Sequence, residues 1–91
     1  EWGDAGVRVN AIQPGPVEDT EGMKRLTPDE ESQERVKKAL PAGRYARKEE
    51  IAELALYLTL PPADYITGSI IPCDGGQMLV GSGSLMDALM G

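Results

Sequence analysis

The chain has 91 residues, enough for one small domain and too few for two. An apolar content of 41% is compatible with a globular core, while nine basic against fifteen acidic residues leave a net charge of −6. That balance argues against a binder of nucleic-acid backbone, and no apolar run approaches the ~20 residues needed to cross a bilayer. A single cysteine, Cys73, excludes an internal disulfide and fits a reducing compartment, the cytoplasm or an organelle matrix. With four aromatic residues (Trp2, Tyr45, Tyr57, Tyr65), the core must rest on aliphatic side chains.

In chain order, Glu1-Trp2-Gly3-Asp4 is not a secretory signal, and Asp4-Ala5-Gly6 is expected to link from a helix upstream. Val7-Arg8-Val9-Asn10-Ala11-Ile12 is β-branched at 7, 9 and 12 and polar at 8 and 10. This predicts a strand that stops at Pro14-Gly15-Pro16. Thr27-Pro28-Asp29-Glu30 predicts a helix start, with Thr27 as cap, Pro28 at the first helical position and Glu30 completing a capping box. The helix runs to about Ala39 and leaves only Val36, Ala39 and Leu40 to bury, so it reads as a solvated cover.

Leu40-Pro41-Ala42-Gly43-Arg44 breaks that helix, and residues 48–60 form the clearest helix of the chain. Acidic residues occupy its first turn, and from Ile51 onward it is apolar on nearly every side. Burial on two faces is expected, one of them against a partner surface. Pro61-Pro62-Ala63-Asp64 ends it, and Ser69-Ile70-Ile71-Pro72-Cys73 is a second strand. Pro72 cannot donate to a ladder, which places that strand at a sheet edge. Asp74-Gly75-Gly76 closes it, and residues 81–91 read as a flexible link leading into a short apolar helix.

Strand, helices, strand is a βαβ unit, which requires a parallel sheet. Such sheets are covered on both faces, so two strands imply one end of a larger doubly wound α/β domain. Ligands of these domains bind beyond the carboxyl ends of the strands, where residues 13–20 lie. Pro14 and Pro16 lack an N–H and have a fixed φ, and Gly15 permits a sharp turn or a close approach to a ligand. The next groups on offer are the backbone N–H and C=O of Val17 on a rigid lead-in. A planar carboxamide needs such a preset donor–acceptor pair.

Thr20 suits the N-cap of a short helix through Glu21-Gly22-Met23, and Arg25 reads as a surface residue pairing with Asp29 or Glu30. Arg44 reads as a structural ion-pair partner and Cys73 as a small buried hydrophobe. Gly81-Ser82-Gly83 is no phosphate loop, because Met86 stands where a third glycine belongs. No metal site is expected.

VRVNAIQPGPV at 7–17, GR at 43–44, EEIAELALYL at 49–58, YITG at 65–68 and DGG at 74–76 together resemble the short-chain dehydrogenase/reductases, over residues 1 to about 80. PGPV followed by Thr20-Glu21-Gly22 and Arg25 is most similar to the 2,4-dienoyl-CoA reductase branch, although Thr20 stands six rather than five residues after Pro14. The resemblance implies that residues 1–80 are the C-terminal part of a Rossmann-type domain, with 81–91 as a tail. It implies an NADP or NAD cofactor whose nicotinamide rests on Pro14, Gly15, Pro16 and Val17, with Thr20 near the diphosphate. It implies that Arg25 contacts an acyl-CoA substrate, that residues 28–39 form a lid, and that helix 48–60 and strand 69–73 meet other subunits in a homotetramer.

The family's glycine-rich loop and Tyr-x-x-x-Lys pair belong upstream of Glu1. Four residues after Tyr45, Tyr57 and Tyr65 stand Glu49, Pro61 and Ser69, so no catalytic residue is expected in this chain and no reduction by it alone. The expected whole-protein activity is hydride transfer from NADPH to an unsaturated acyl-CoA. A 3-oxoacyl reductase or a sugar or alcohol dehydrogenase is the alternative within the family. A non-catalytic module docking through helix 48–60 is the alternative outside it, and neither nucleic acid nor membrane is an expected partner.

Overall fold

Two short strands, β1 (Ala11–Pro14) and β2 (Ile70–Cys73), pair in parallel in the computed structural model, which describes residues 3–90. Between them run the helices α1 (Glu21–Leu26), α2 (Glu30–Ala39) and α3 (Lys48–Tyr57), and α4 (Gln77–Met90) follows β2. The crossover of a parallel pair is thus helical, and the fold is the expected α/β unit. Trp2 lies outside the described residues.

The register sets Ala11 against Ile70 and Pro14 against Cys73. Ala11 donates to the Ser69 carbonyl at 2.9 Å and Gly15 to that of Cys73 at 3.1 Å. Backbone groups alternate along a strand, so residues 11 and 15 face β2 while Pro14, of opposite parity, faces away. Pro72 likewise lies between the two accepting carbonyls of its own strand. Each proline therefore sits where its missing N–H costs the pair nothing.

The first strand begins later than the 7–12 alternation predicts. Arg8 and Asn10 are half-buried, and their side chains hold the connection that leads into β2. The Arg8 guanidinium donates to the carbonyls of Leu58, Ala63 and Ile66 at 2.7–3.0 Å. Asn10 donates to the Ile66 carbonyl at 3.0 Å and accepts from the Ser69 N–H at 3.1 Å. Val9 bonds Thr67 and Gly68, so residues 8–10 pair with a loop and not with a strand.

The start of α2 is also two residues later than predicted. Asp29 is its N-cap, accepting from the Ser32 N–H at 2.8 Å, and Ser32 completes the box at 3.4 Å. Those bonds hold the Asp29 carboxyl below the usual carboxylate range. Thr27 instead closes α1, donating from its hydroxyl to the Met23 carbonyl at 2.7 Å, and is 1% exposed. Of the three residues α2 has to bury, Val36 and the following Leu40 are buried and Ala39 is half-buried. They are covered largely by α4, onto which Arg35 donates at the Ala88 carbonyl at 2.9 Å.

Along α3, Ile51 and Leu54, with Leu58 just past its end, are spaced three and four apart and are half-buried, and the helix contacts β1. Leu56 (59% exposed) and Tyr57 lie open on the other side. One face of α3 is thus partly covered within the described residues and the second is not. Helix α4 covers the stretch expected to be a flexible link, broken at Gly81 (φ 80°, ψ 158°), where two helical segments meet. Cys73 is half-buried rather than buried.

Candidate functional site

At the carboxyl ends of β1 and β2 the chain crosses itself three times. The first crossing is Gly15 against Asp74: a Cβ on Gly15 would lie 2.8 Å from the Asp74 Cα and carbonyl oxygen. The backbone just past β2 therefore leaves no room for a side chain at residue 15. The second is the Gly75-Gly76 pair, both at positive φ, whose Gly75 carbonyl accepts from Ala42 at 2.9 Å. A Cβ on Gly76 would strike the Pro41 ring at 2.8 Å. Asp74 fixes this turn by accepting from the Gly76 and Met78 N–H groups, both at 3.0 Å.

The third crossing is a parallel bridge between Val17 and Ala46. Its two bonds run from the Ala46 N–H to the Pro16 carbonyl and from the Glu18 N–H to the Ala46 carbonyl, each 2.9 Å. A bridge of this kind uses the groups on either side of the central residue and turns that residue's own pair the other way. The Val17 N–H accordingly bonds no described residue. The Val17 carbonyl accepts from the Thr20 hydroxyl at 3.0 Å and keeps a second lone pair. One unpaired donor and one half-used acceptor, adjacent on a fixed backbone, fit a carboxamide such as that of a nicotinamide.

Thr20 is the N-cap of α1: its Oγ accepts from the Met23 N–H at 3.3 Å while donating to Val17. Of the two roles the sequence left open for Thr20, the geometry displays the cap. Pro16 is buried, and Pro14 and Arg25 are exposed, Arg25 in the last turn of α1. Among the described residues Arg25 forms no ion pair, so its expected partnership with Asp29 or Glu30 is not made.

Arg44 is the ion-pair partner its setting suggested. It grips Glu50 with both terminal nitrogens, at 2.7 and 2.8 Å, and Glu50 also accepts from the Arg47 N–H at 2.8 Å. These bonds, the guanidinium first, pull the Glu50 carboxyl down to about 2 and raise Arg44. The pair braces the residues that flank Ala46 and so supports the Val17 bridge from behind. Tyr45 adds a second brace, its hydroxyl donating to Thr27 Oγ at 2.9 Å with the Lys37 ammonium 5.6 Å from its ring centre.

A cleft of about 490 Å³ opens between α1, α2 and the Arg44–Arg47 segment. Sequence reasoning missed Arg8, Tyr45 and Asp74 as organising residues and gave Thr27 as the cap of α2 where it closes α1. The one signal it offered was the polar residue at 8 in an otherwise apolar run.

A model of the enoyl-(acyl carrier protein) reductase family matches residues 1–78. The chain is 46% identical over 80 residues to a Bacillus subtilis protein named as a 2,4-dienoyl-CoA reductase, covering 87% of this chain and 32% of that relative. It is 43% identical over 79 residues to the peroxisomal 2,4-dienoyl-CoA reductase of Pongo abelii, covering 87% of this chain and 27% of the relative. A crystal structure from Agrobacterium tumefaciens, described as a 2-deoxy-D-gluconate 3-dehydrogenase with bound NADP, superposes with a TM-score of 0.73 at 39% identity. The overlap is 82% of this chain and 30% of that one.

The chain belongs to the short-chain dehydrogenase/reductase family of oxidoreductases and groups with its 2,4-dienoyl-CoA reductase branch. It spans about a third of the length of these relatives. No helix among the described residues is long and apolar enough to cross a membrane.

Proposed function

We propose that this chain is the part of an NADP- or NAD-dependent reductase that orients the nicotinamide, and that the whole protein reduces an unsaturated acyl-CoA. The observation that carries the reading is the unpaired Val17 N–H beside its half-used carbonyl, on a turn fixed by Pro14, Gly15 and Pro16. Those two groups would hold the carboxamide, and the cofactor would supply the hydride. The Thr20 hydroxyl, donating to the Val17 carbonyl, sets that acceptor's direction and stands near where a diphosphate would run. Arg25, exposed and without an ion pair, is free to meet an anionic substrate. The dienoyl-CoA names of the relatives favour an acyl-CoA, while the gluconate dehydrogenase named above supports the sugar-dehydrogenase alternative.

The open side of α3 and the exposed Ile70 of β2 support our reading that this face meets other copies in a tetramer. The lone Cys73 favours a reducing compartment, and we place the protein in the cytoplasm.

Two substitutions in the full-length protein test the assignment. Val17→Pro deletes the donor, and KM for the nucleotide is expected to rise about tenfold or more while Val17→Ala stays near wild type. Equal KM values in the two variants would remove Val17 from the cofactor site. Arg25→Ala is expected to raise KM for acyl-CoA about tenfold; an unchanged KM removes the CoA role and leaves the sugar or alcohol substrate class.

A further inference from the structure

The bridge that leaves the Val17 groups unpaired is a single pair of residues, and both of its bonds, from the Pro16 and Glu18 sides, run to Ala46. No ladder continues it, so its geometry depends on what fixes the residues beside Ala46. The residue before Ala46 is Tyr45. The chain reaches it by leaving α2 at the buried Leu40 and turning at Gly43, whose φ of 74° suits glycine and whose N–H donates to the Leu40 carbonyl at 2.9 Å. This return sets residues 44–47 beside the α1–α2 junction, where the Tyr45 hydroxyl donates to Thr27 Oγ at 2.9 Å. Both side chains stand in the wall of the cleft, together with Lys24, Lys37, Arg44 and Arg47.

The Thr27 end of that bond is anchored to both helices. The buried Thr27 hydroxyl donates to the Met23 carbonyl in α1 at 2.7 Å, and the Thr27 carbonyl accepts from the Gln33 side-chain amide in α2 at 3.2 Å. The one proton of the hydroxyl is committed to Met23, so its oxygen is left to accept from Tyr45. Among the described residues no other hydrogen bond joins residues 20–39 to residues 44–47. The Arg44–Glu50 pair braces the same segment from α3, but its side chains are 51% and 30% exposed. An ion pair so open to water contributes little, whereas a bond to a buried hydroxyl is costly to leave unmade. Tyr45 is therefore the stronger of the two supports.

We propose that Tyr45 is a positioning residue for the cofactor. Its bond to Thr27 fixes the backbone at Ala46, and the bridge passes that constraint to the free N–H and half-used carbonyl of Val17. The proposal rests on the reading of Val17 as the residue that orients the nicotinamide, and it gives Tyr45 no contact with the cofactor itself.

The test uses the full-length protein and two probes: NADPH, and 2′-phospho-ADP-ribose, the same dinucleotide without its nicotinamide. For a protein that takes NADH, the probes are NADH and ADP-ribose. Dissociation constants are measured for wild type, Tyr45→Phe, Thr27→Val, the double variant, Thr27→Ser and Val17→Pro. Tyr45→Phe removes one oxygen, Thr27→Val keeps the shape without the hydroxyl, and Thr27→Ser retains the acceptor. Affinity for NADPH is expected to fall about fivefold in Tyr45→Phe and in Thr27→Val, to fall no further in the double variant, and to return in Thr27→Ser. Affinity for 2′-phospho-ADP-ribose should stay unchanged in these four.

Equal weakening of both probes would make the bond a general support of the domain and overturn the positioning role. Losses in the single variants that add in the double variant would overturn it as well. If Val17→Pro weakens NADPH selectively while Tyr45→Phe weakens neither probe, the role of Tyr45 falls and the Val17 reading stands. If neither substitution separates the two probes, the Val17 reading falls and this proposal falls with it.

Discussion

The strand-end turns and the two long apolar helices solve different problems. Residues 13–20, 40–50 and 74–78 bury Pro16 and Leu40 and are held to one another by directed bonds and by backbone crossings without room for a Cβ. Helices α3 and α4 carry much of the apolar side-chain mass and leave a large part of it open, with Leu56, Leu79 and Met90 well exposed. Hydrogen bonds and steric exclusion are directional, so they can fix the Val17 backbone with little apolar burial. Apolar burial is non-directional and needs area, and the described residues cover only part of these two helices. The comparison teaches that the geometry of the site is set by a few directed contacts between distant segments, with little help from apolar burial.

The sharpest way to break this contrast is Gly15→Ala. Its Cβ would meet the Asp74 backbone, which cannot step aside as a side-chain tip could, and the expected cost is about 3 kcal/mol with loss of nucleotide affinity. Thermal unfolding of the full-length variant measures it, and a near-wild-type midpoint would show that the crossing is looser than described.

A smaller effect isolates the Arg44 brace. Glu50 has a folded-state value of about 2 against 4.5, so its contribution is complete above about pH 4.5 and is lost as pH falls through 2. Acid titration of stability should therefore show a shallower decline over that window for Glu50→Gln, which carries no titrating carboxyl. Identical acid limbs would mean that the pair does not brace the loop in solution.

The smallest expected change is on the open face of α3. Leu56→Ser, at a position already 59% exposed, should alter the folding stability of a dissociated subunit by less than about 0.5 kcal/mol. Sedimentation of the same variant should reveal a shift to smaller species if the face joins subunits. A large folding defect in an unchanged assembly would place that face inside the subunit core.

The fold class was legible because parallel pairing follows from strand–helix–strand order and short apolar runs bounded by prolines. The family was legible because five motifs occur in order within 80 residues. Element edges were not. Alternation at 7–12 has the strand period, but it arises because Arg8 and Asn10 reach a loop more than fifty residues away. Thr27 and Asp29 are both good caps, and only the buried bonds of Thr27 to Met23 and Tyr45 decide between them. The site residues were readable as a turn, Pro14 to Val17, and Thr20 as the cap of a short helix; the close packing of Gly15 on the Asp74 backbone was not.

By itself the sequence determined what depends on neighbours along the chain: where helices form, where prolines forbid a donor, and that a rigid turn precedes Val17. Only the tertiary structure decided which groups remain unpaired. Whether the Val17 N–H is free depends on Ala46, twenty-nine positions away, taking the groups on either side of it. That the lysines of two helix ends and the arginines of a loop share one cleft depends on how α1, α2 and that loop fold together. Local preference acts through a few bonds along the backbone, whereas a vacancy or a charge cluster is a property of what meets in space.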